Sequence, residues 1–239
     1  MKKYINNLGG TLTALLVFFS LGVHGQSAKD IAGAWKMNDG DKTSVLVFQD
    51  NYFTESIFKS DQYIKSYGGP YSVSGDQMEV DLEFDSERSD RVGSKLTANV
   101  AIDGDQLTIT QDGTTQTWTK SDAGDAPLAG VWHITERMQG GELVPIHQSG
   151  TRKTLKVLTG NRFQWFAIDP GTKQFSGTGG GTYTFENGTY TENIEFFSRD
   201  NSRVGASLSF DGELKDGKWH HSGLSSKGDE IYEVWSRVE

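Results

Sequence analysis

Apolar and polar residues alternate with a period of two along much of the chain. The run Met78-Glu-Val-Asp-Leu-Glu-Phe84 places Met78, Val80, Leu82 and Phe84 on one side and Glu79, Asp81 and Glu83 on the other. Successive side chains of a strand point to opposite faces, so this is the pattern of a half-buried strand. Strands are expected near 33–37, 43–48, 51–58, 63–67, 70–74, 77–84, 95–102, 106–110 and 115–119. Turn signals separate them, among them Gln49-Asp-Asn51, Ser74-Gly-Asp76, Asp103-Gly-Asp105 and Asp112-Gly113. A hairpin signal falls in the second half, where strands at 181–185 and 189–197 flank Glu186-Asn-Gly188. Asn-Gly suits a tight turn that needs positive φ at its centre. No segment carries a helical period, and short strands with polar turns predict an antiparallel meander closing into a barrel.

The pattern occurs twice. Ile31-Ala-Gly-Ala-Trp35 opens one unit and Leu128-Ala-Gly-Val-Trp132 the other, an offset of 97 positions. Gly69 and Gly181, Tyr71 and Tyr183, Glu83 and Glu195, Phe84 and Phe196, and Arg91 and Arg203 are each 112 apart. The second unit therefore gains 15 residues, most of them expected in a loop from Gln139 to Ser149. The organisation read from this is a leader at 1–25, a first barrel at 26–120, a polar linker at 121–127 and a second barrel at 128–239.

The leader reads as an export signal. Lys2 and Lys3 precede an apolar stretch from Leu12 to Leu21, and Val23-His24-Gly25 offers a cleavage point. That stretch is too short to span a bilayer, so no membrane insertion is expected, and the mature chain would be periplasmic or secreted. There is no cysteine, which excludes disulfides, thiolate metal sites and a cysteine nucleophile. The net charge of −9 argues against nucleic acid as a partner, although ordinary solubility explains it as well.

Gly33-Ala-Trp35 and Gly130-Val-Trp132 resemble the Gly-x-Trp of the lipocalin family, and Trp118-Thr-Lys120 and Trp235-Ser-Arg237 stand near the end of each unit. The resemblance implies that each tryptophan closes a barrel base under a basic residue of the last strand, around an internal ligand site. The duplicated pattern also resembles the lipocalin-like domains of unknown function of secreted bacterial proteins, which implies a fold and no activity. The expected fold class is thus all-β, with two tandem small antiparallel lipocalin-like β-barrels.

Comparing the units position by position singles out a candidate site. Met78, Val80, Leu82 and Phe84 become Tyr190, Glu192, Ile194 and Phe196, so a carboxylate stands where the first barrel has an inward valine. An unpaired carboxylate in an apolar wall costs several kcal/mol. Leu107 and Ile109 become Trp219 and His221, Gln116 becomes Glu233, and Trp165 takes the place of Glu55. The expected ligand-binding residues are therefore Trp165, Tyr190, Glu192, Trp219, His221 and Glu233, in a second barrel that is polar and aromatic where the first has a filled core. Two bland readings stand beside this one. A bulge would turn Glu192 to solvent, and His221 taken alone is an ordinary core histidine.

Three functions fit. The leading one is an exported binder of a small polar or amphipathic molecule, with carbohydrate as the first class, because aromatic faces stack on sugars and carboxylates accept from hydroxyls. The second is an isomerase, lyase or hydrolase with Glu192, His221 and Glu233 as the catalytic acid and base groups. The third is a scaffold or inhibitor without pocket chemistry. No cofactor or metal is expected, since adjacent His220 and His221 point to opposite faces of a strand. Gly177-Thr-Gly-Gly-Gly181 leads into a strand and reads as a close backbone approach, not a phosphate loop. Oligomeric state is not legible.

Overall fold

A computed structural model describes residues 31–147, 149–225 and 228–238. The expected leader lies outside them. The described chain is all-β and forms two closed antiparallel barrels in tandem, each of eight strands.

The first barrel runs β1 (Gly33–Asp39), β2 (Lys42–Gln49), β3 (Tyr52–Phe58), β4 (Tyr63–Ser74), β5 (Gln77–Asp81), β6 (Phe84–Asp85), β7 (Lys95–Asp103), β8 (Gln106–Gln111) and β9 (Thr114–Asp122). Eight of these form an up-and-down meander that closes where β9 meets β1, and β6 is a short addition on β4. The second runs β10 (Gly130–Gln139), β11 (Glu142–Pro145), β12 (Lys153–Leu158), β13 (Arg162–Asp169), β14 (Gln174–Glu186), β15 (Thr189–Phe197), β16 (Ser207–Lys215), β17 (Lys218–Leu224) and β18 (Glu230–Arg237). It closes where β18 meets β10, and β11 is the extra strand.

The units superpose in register. Tyr71 pairs with Val80 as Tyr183 pairs with Glu192, and Ile109 pairs with Gln116 as His221 pairs with Glu233. Trp35 Nε1 donates to the Ile31 carbonyl and Trp132 Nε1 to the Leu128 carbonyl, both at 2.8 Å. The Lys120 ammonium sits 5.1 Å from the Trp35 ring and the Arg237 guanidinium 4.3 Å from the Trp132 ring. Each barrel base is thus shut by a tryptophan held from both sides.

Three details depart from the sequence reading. The strands expected at 63–67 and 70–74 are one strand, β4, which passes through Gly68-Gly69-Pro70. A Cβ on Gly69 would lie 1.9 Å from the Asp81 carbonyl oxygen, and one on Gly68 2.2 Å from that of Phe53, so the glycines mark close packing and not a break. The single strand expected at 77–84 divides into β5 and β6. The loop expected at 139–149 is largely a hairpin, because Gly140 and Gly141 take positive φ and join β10 to β11.

The barrels meet along their outer walls. Val45, Val47, Phe58 and Phe84 of the first barrel pack with Leu155, Val157, Phe166 and Phe196 of the second. Phe84 stacks on Phe166 at 4.7 Å and Phe58 on Phe196 at 5.0 Å. Lys153 Nζ donates to Glu83 across this contact at 2.7 Å. Strands β2 and β12 are therefore buried on both faces, which accounts for their continuous apolar runs.

Candidate functional site

The interior of the second barrel holds a cavity of about 580 Å³. Glu192, His221, Glu233 and Trp165 all line it, each carried by a different strand: β15, β17, β18 and β13. Glu192 points inward and is buried, so no bulge has turned it to solvent. Tyr190 and Trp219 are placed differently. Both are fully buried beneath the cavity floor and do not line it.

On that floor lies a residue missed in the sequence. Lys156 of β12 is buried and donates to Glu192 Oε1 at 2.9 Å. The Tyr190 hydroxyl donates to the same oxygen at 3.0 Å. The ammonium is surrounded by rings, with centroids of Trp219 at 5.0 Å, Tyr190 at 5.1 Å and Trp235 at 5.2 Å. Burial and the Glu192 carboxylate push the Tyr190 phenol well above its ordinary value, so it stays a donor. Lys156 pairs with Trp132 as Leu46 pairs with Trp35. The same comparison of units that exposed Glu192, carried back one hairpin, turns Leu46 into Lys156. The apolar pair Leu46 and Val80 of one barrel is an ion pair in the other.

On the wall, His221 Nδ1 lies 3.6 Å from Glu233 Oε2, too long for a hydrogen bond. Neither ring nitrogen of His221 has a hydrogen-bond partner among the described residues. Burial pushes this imidazole below its ordinary value, Lys156 adds to the depression, and the carboxylates of Glu233 and Glu192 offset only part of it. His221 is accordingly neutral at pH 7. Burial acts to raise the Glu233 carboxyl, but His221, Lys156 and Arg137 outweigh it and hold the group below the usual carboxylate range. Arg137 Nη2 donates to Glu233 Oε1 at 2.9 Å from the cavity mouth. Ile146 and His147, which follow β11, also line the cavity.

Close backbone approach explains the glycine run. A Cβ on Gly179 would lie 2.8 Å from Trp165 Nε1, so this glycine makes room for the Trp165 ring. No group of three or more His, Asp or Glu side chains able to hold a metal occurs among the described residues.

The first barrel is not filled, contrary to the expectation. It encloses a smaller cavity of about 270 Å³. Glu55 lines it and is held by Ser44 Oγ at 2.7 Å and by the Tyr67 hydroxyl. Those partners satisfy Glu55, and Leu46, Val80 and Ile109 are apolar at the positions where the second barrel has Lys156, Glu192 and His221.

Residues 127–239, the second barrel, match the family model described as a domain of unknown function (DUF4488). Comparison with curated proteins returns no match. Among solved structures, the chain is similar to a Helicobacter pylori beta clamp bound to a DNA ligase peptide, at 10% identity and a TM-score of 0.15. That match covers 91% of this chain and 61% of the clamp chain. A DNA polymerase sliding clamp from Pseudomonas aeruginosa matches at 9% identity and a TM-score of 0.15, over 87% of this chain and 77% of that one. Likeness at that level carries no argument about fold or function.

Proposed function

We propose that the chain is an exported, lipocalin-like protein whose second barrel binds a small polar or amphipathic molecule, with carbohydrate the first class to test. One observation carries this reading: the Lys156–Glu192 pair on the cavity floor, where the sister barrel has Leu46 and Val80. Desolvating two charges costs several kcal/mol per ion, and well-packed hydrophobic residues are often as stable or more so. The first barrel demonstrates that this fold closes with the apolar pair. A polar floor beneath a cavity of about 580 Å³ is then best explained by what the cavity holds. The Trp165 and Trp235 rings supply stacking surface beside it.

The neutral His221 beside an ionised Glu233 supports a second reading, in which the imidazole takes a proton from a bound substrate and the site is an enzyme's. No comparable observation favours a scaffold without pocket chemistry.

Native mass spectrometry of the purified chain against a panel of neutral sugars, sugar acids and small aromatic acids tests the binding reading. The expected result is a one-to-one adduct that disappears when Ala167, on the cavity wall, is replaced by tryptophan. A folded chain that takes up no member of the panel would sink the proposal. Appearance of product during incubation would decide for the enzyme.

A further inference from the structure

The charge around the second cavity has the opposite sign to the chain. Its lining carries four cations, Arg137, Arg152, Lys156 and Arg199, against two carboxylates, Glu192 and Glu233, in a chain whose net charge is −9. The carboxylates are spoken for, since Glu192 is bound to Lys156 and Glu233 to Arg137. The positive excess therefore rests on Arg152 and Arg199. Both are exposed, and neither makes an ion pair among the described residues. Arg199 is held in place, because its Nε donates to the Ser176 carbonyl at 2.9 Å and its guanidinium lies 5.6 Å from the Trp165 ring.

The sister barrel again supplies the control. Its cavity is lined by Glu55 and Asp112 and by no lysine or arginine. Ser86 Oγ accepts from Ser66 N as Ser198 Oγ accepts from Thr178 N, which fixes Glu87 as the counterpart of Arg199. Glu87 opens on a neighbouring pocket of about 260 Å³ that also carries Lys42 and Lys65, so the change of sign from Glu87 to Arg199 belongs to this one pair of positions.

We infer that the ligand of the second barrel is an organic anion, its acidic group met by Arg152 and Arg199 at the mouth and its apolar or ring-bearing body lying inside against Trp165 and Phe197. A guanidinium recognises carboxylate, sulfonate and phosphate oxygens through paired donors, so the shared chemistry is the oxyanion. The focused positive potential at the mouth of an acidic protein also draws anions selectively to that opening. The inference rests on the second barrel being a binding site, and it narrows what that site accepts.

Two fluorescent probes separate the two claims. Anilinonaphthalene sulfonate carries a sulfonate on an aromatic body, and phenylnaphthylamine has the same body without the charge. The full chain should bind the sulfonate probe more tightly than the neutral one. In R152Q/R199Q, the sulfonate probe should bind about tenfold more weakly, because two exposed charge contacts are lost, and about 0.5 M salt should mimic the loss in the wild type. The neutral probe should be unchanged in both cases, which also reports that the variant is folded. Equal affinity for the two probes, or equal losses in the arginine variant, would overturn the anion inference while leaving the pocket intact. Binding of neither probe, or binding that Ala167→Trp leaves untouched, would instead bring down the binding site itself.

Discussion

Replacing the floor of the second barrel with that of the first is the most direct test of what the ion pair is for. Glu192→Val alone leaves the Lys156 ammonium buried without its carboxylate, and Lys156→Leu alone leaves the carboxylate with only the Tyr190 hydroxyl. Breaking a buried pair from one side costs about 3–5 kcal/mol. The double variant removes both desolvation penalties and buries two aliphatic side chains instead. It loses the attraction of the ammonium to three rings, about 0.5–2 kcal/mol, and orphans the Tyr190 hydroxyl, about 1–3 kcal/mol. The double should therefore sit near wild type. Adding Tyr190→Met, the residue of the first barrel, should bring it to wild type or above. Guanidinium unfolding followed by tryptophan fluorescence reads this, because Trp132, Trp165, Trp219 and Trp235 report on the second barrel. The measured coupling between the singles should be about 3 kcal/mol or more. A double variant that stays several kcal/mol below wild type would refute the reasoning, since the pair would then stabilise the barrel outright and need no ligand to explain it.

Other perturbations follow from the same geometry. His221 is depressed below 6.5, so the unfolded chain takes up a proton as pH falls through 6.5 while the folded chain does so only lower. Stability present above that value is lost as pH drops toward the folded pKa, and His221→Ile should flatten the slope of the denaturation midpoint between pH 7 and about 5.5. Glu233, held below its ordinary 4.5, is present as a stabilising carboxylate above that value and adds its loss only at lower pH. Gly181→Ala would set a Cβ 1.9 Å from the Asn193 carbonyl oxygen, and thermal melting should show a loss of about 3 kcal/mol or more. Phe166→Ala empties the contact between Tyr52 and Phe84, costs about 3–5 kcal/mol, and should split unfolding into two transitions as the barrels uncouple.

The hairpin at 181–197 was legible because its turn chemistry is local. Asn187 and Gly188 take φ of 51° and 79°, as that dipeptide in a tight turn requires. The duplication was legible because glycines with no room for a Cβ, such as Gly69 and Gly181, recur at a fixed spacing. Glu192 was legible only by reference to Val80. Lys156 was not, for a physical reason. In Leu155-Lys-Val-Leu158 the flanking Leu155 and Val157 face the other barrel, so the strand is apolar on its outer side, and an isolated lysine in it reads as the solvent-facing residue. The apolar contact between the barrels is invisible to any reading that grants each strand one buried face. The depth of Tyr190 and Trp219 was equally hidden, since period-two alternation tells inside from outside but not floor from mouth.

That hidden contact bears on how the site is held. The strand that carries Lys156 is clamped, with Trp132 and Trp165 as its register partners inside the second barrel and Leu155 and Val157 pressed against the first. Strand β13 is clamped likewise, with Trp165 on the cavity and Phe166 stacked between Tyr52 and Phe84. A site built on strands whose outer faces are locked keeps its side chains positioned without help from a ligand. The first barrel needs no ligand of its own to account for its presence. Its apolar outer wall covers the outer faces of the strands that carry the most costly residues of the second barrel. The strands bearing His221 and Glu233, β17 and β18, supply no residue to the apolar contact between the barrels, and β18 reaches the first barrel only at its end, where Arg237 lies 4.0 Å from Asp50. On the proposed binding reading, support and ligand contact are divided between two copies of one fold. On this division, weakening the contact between the barrels should loosen Lys156 and Trp165 before it disturbs His221 and Glu233.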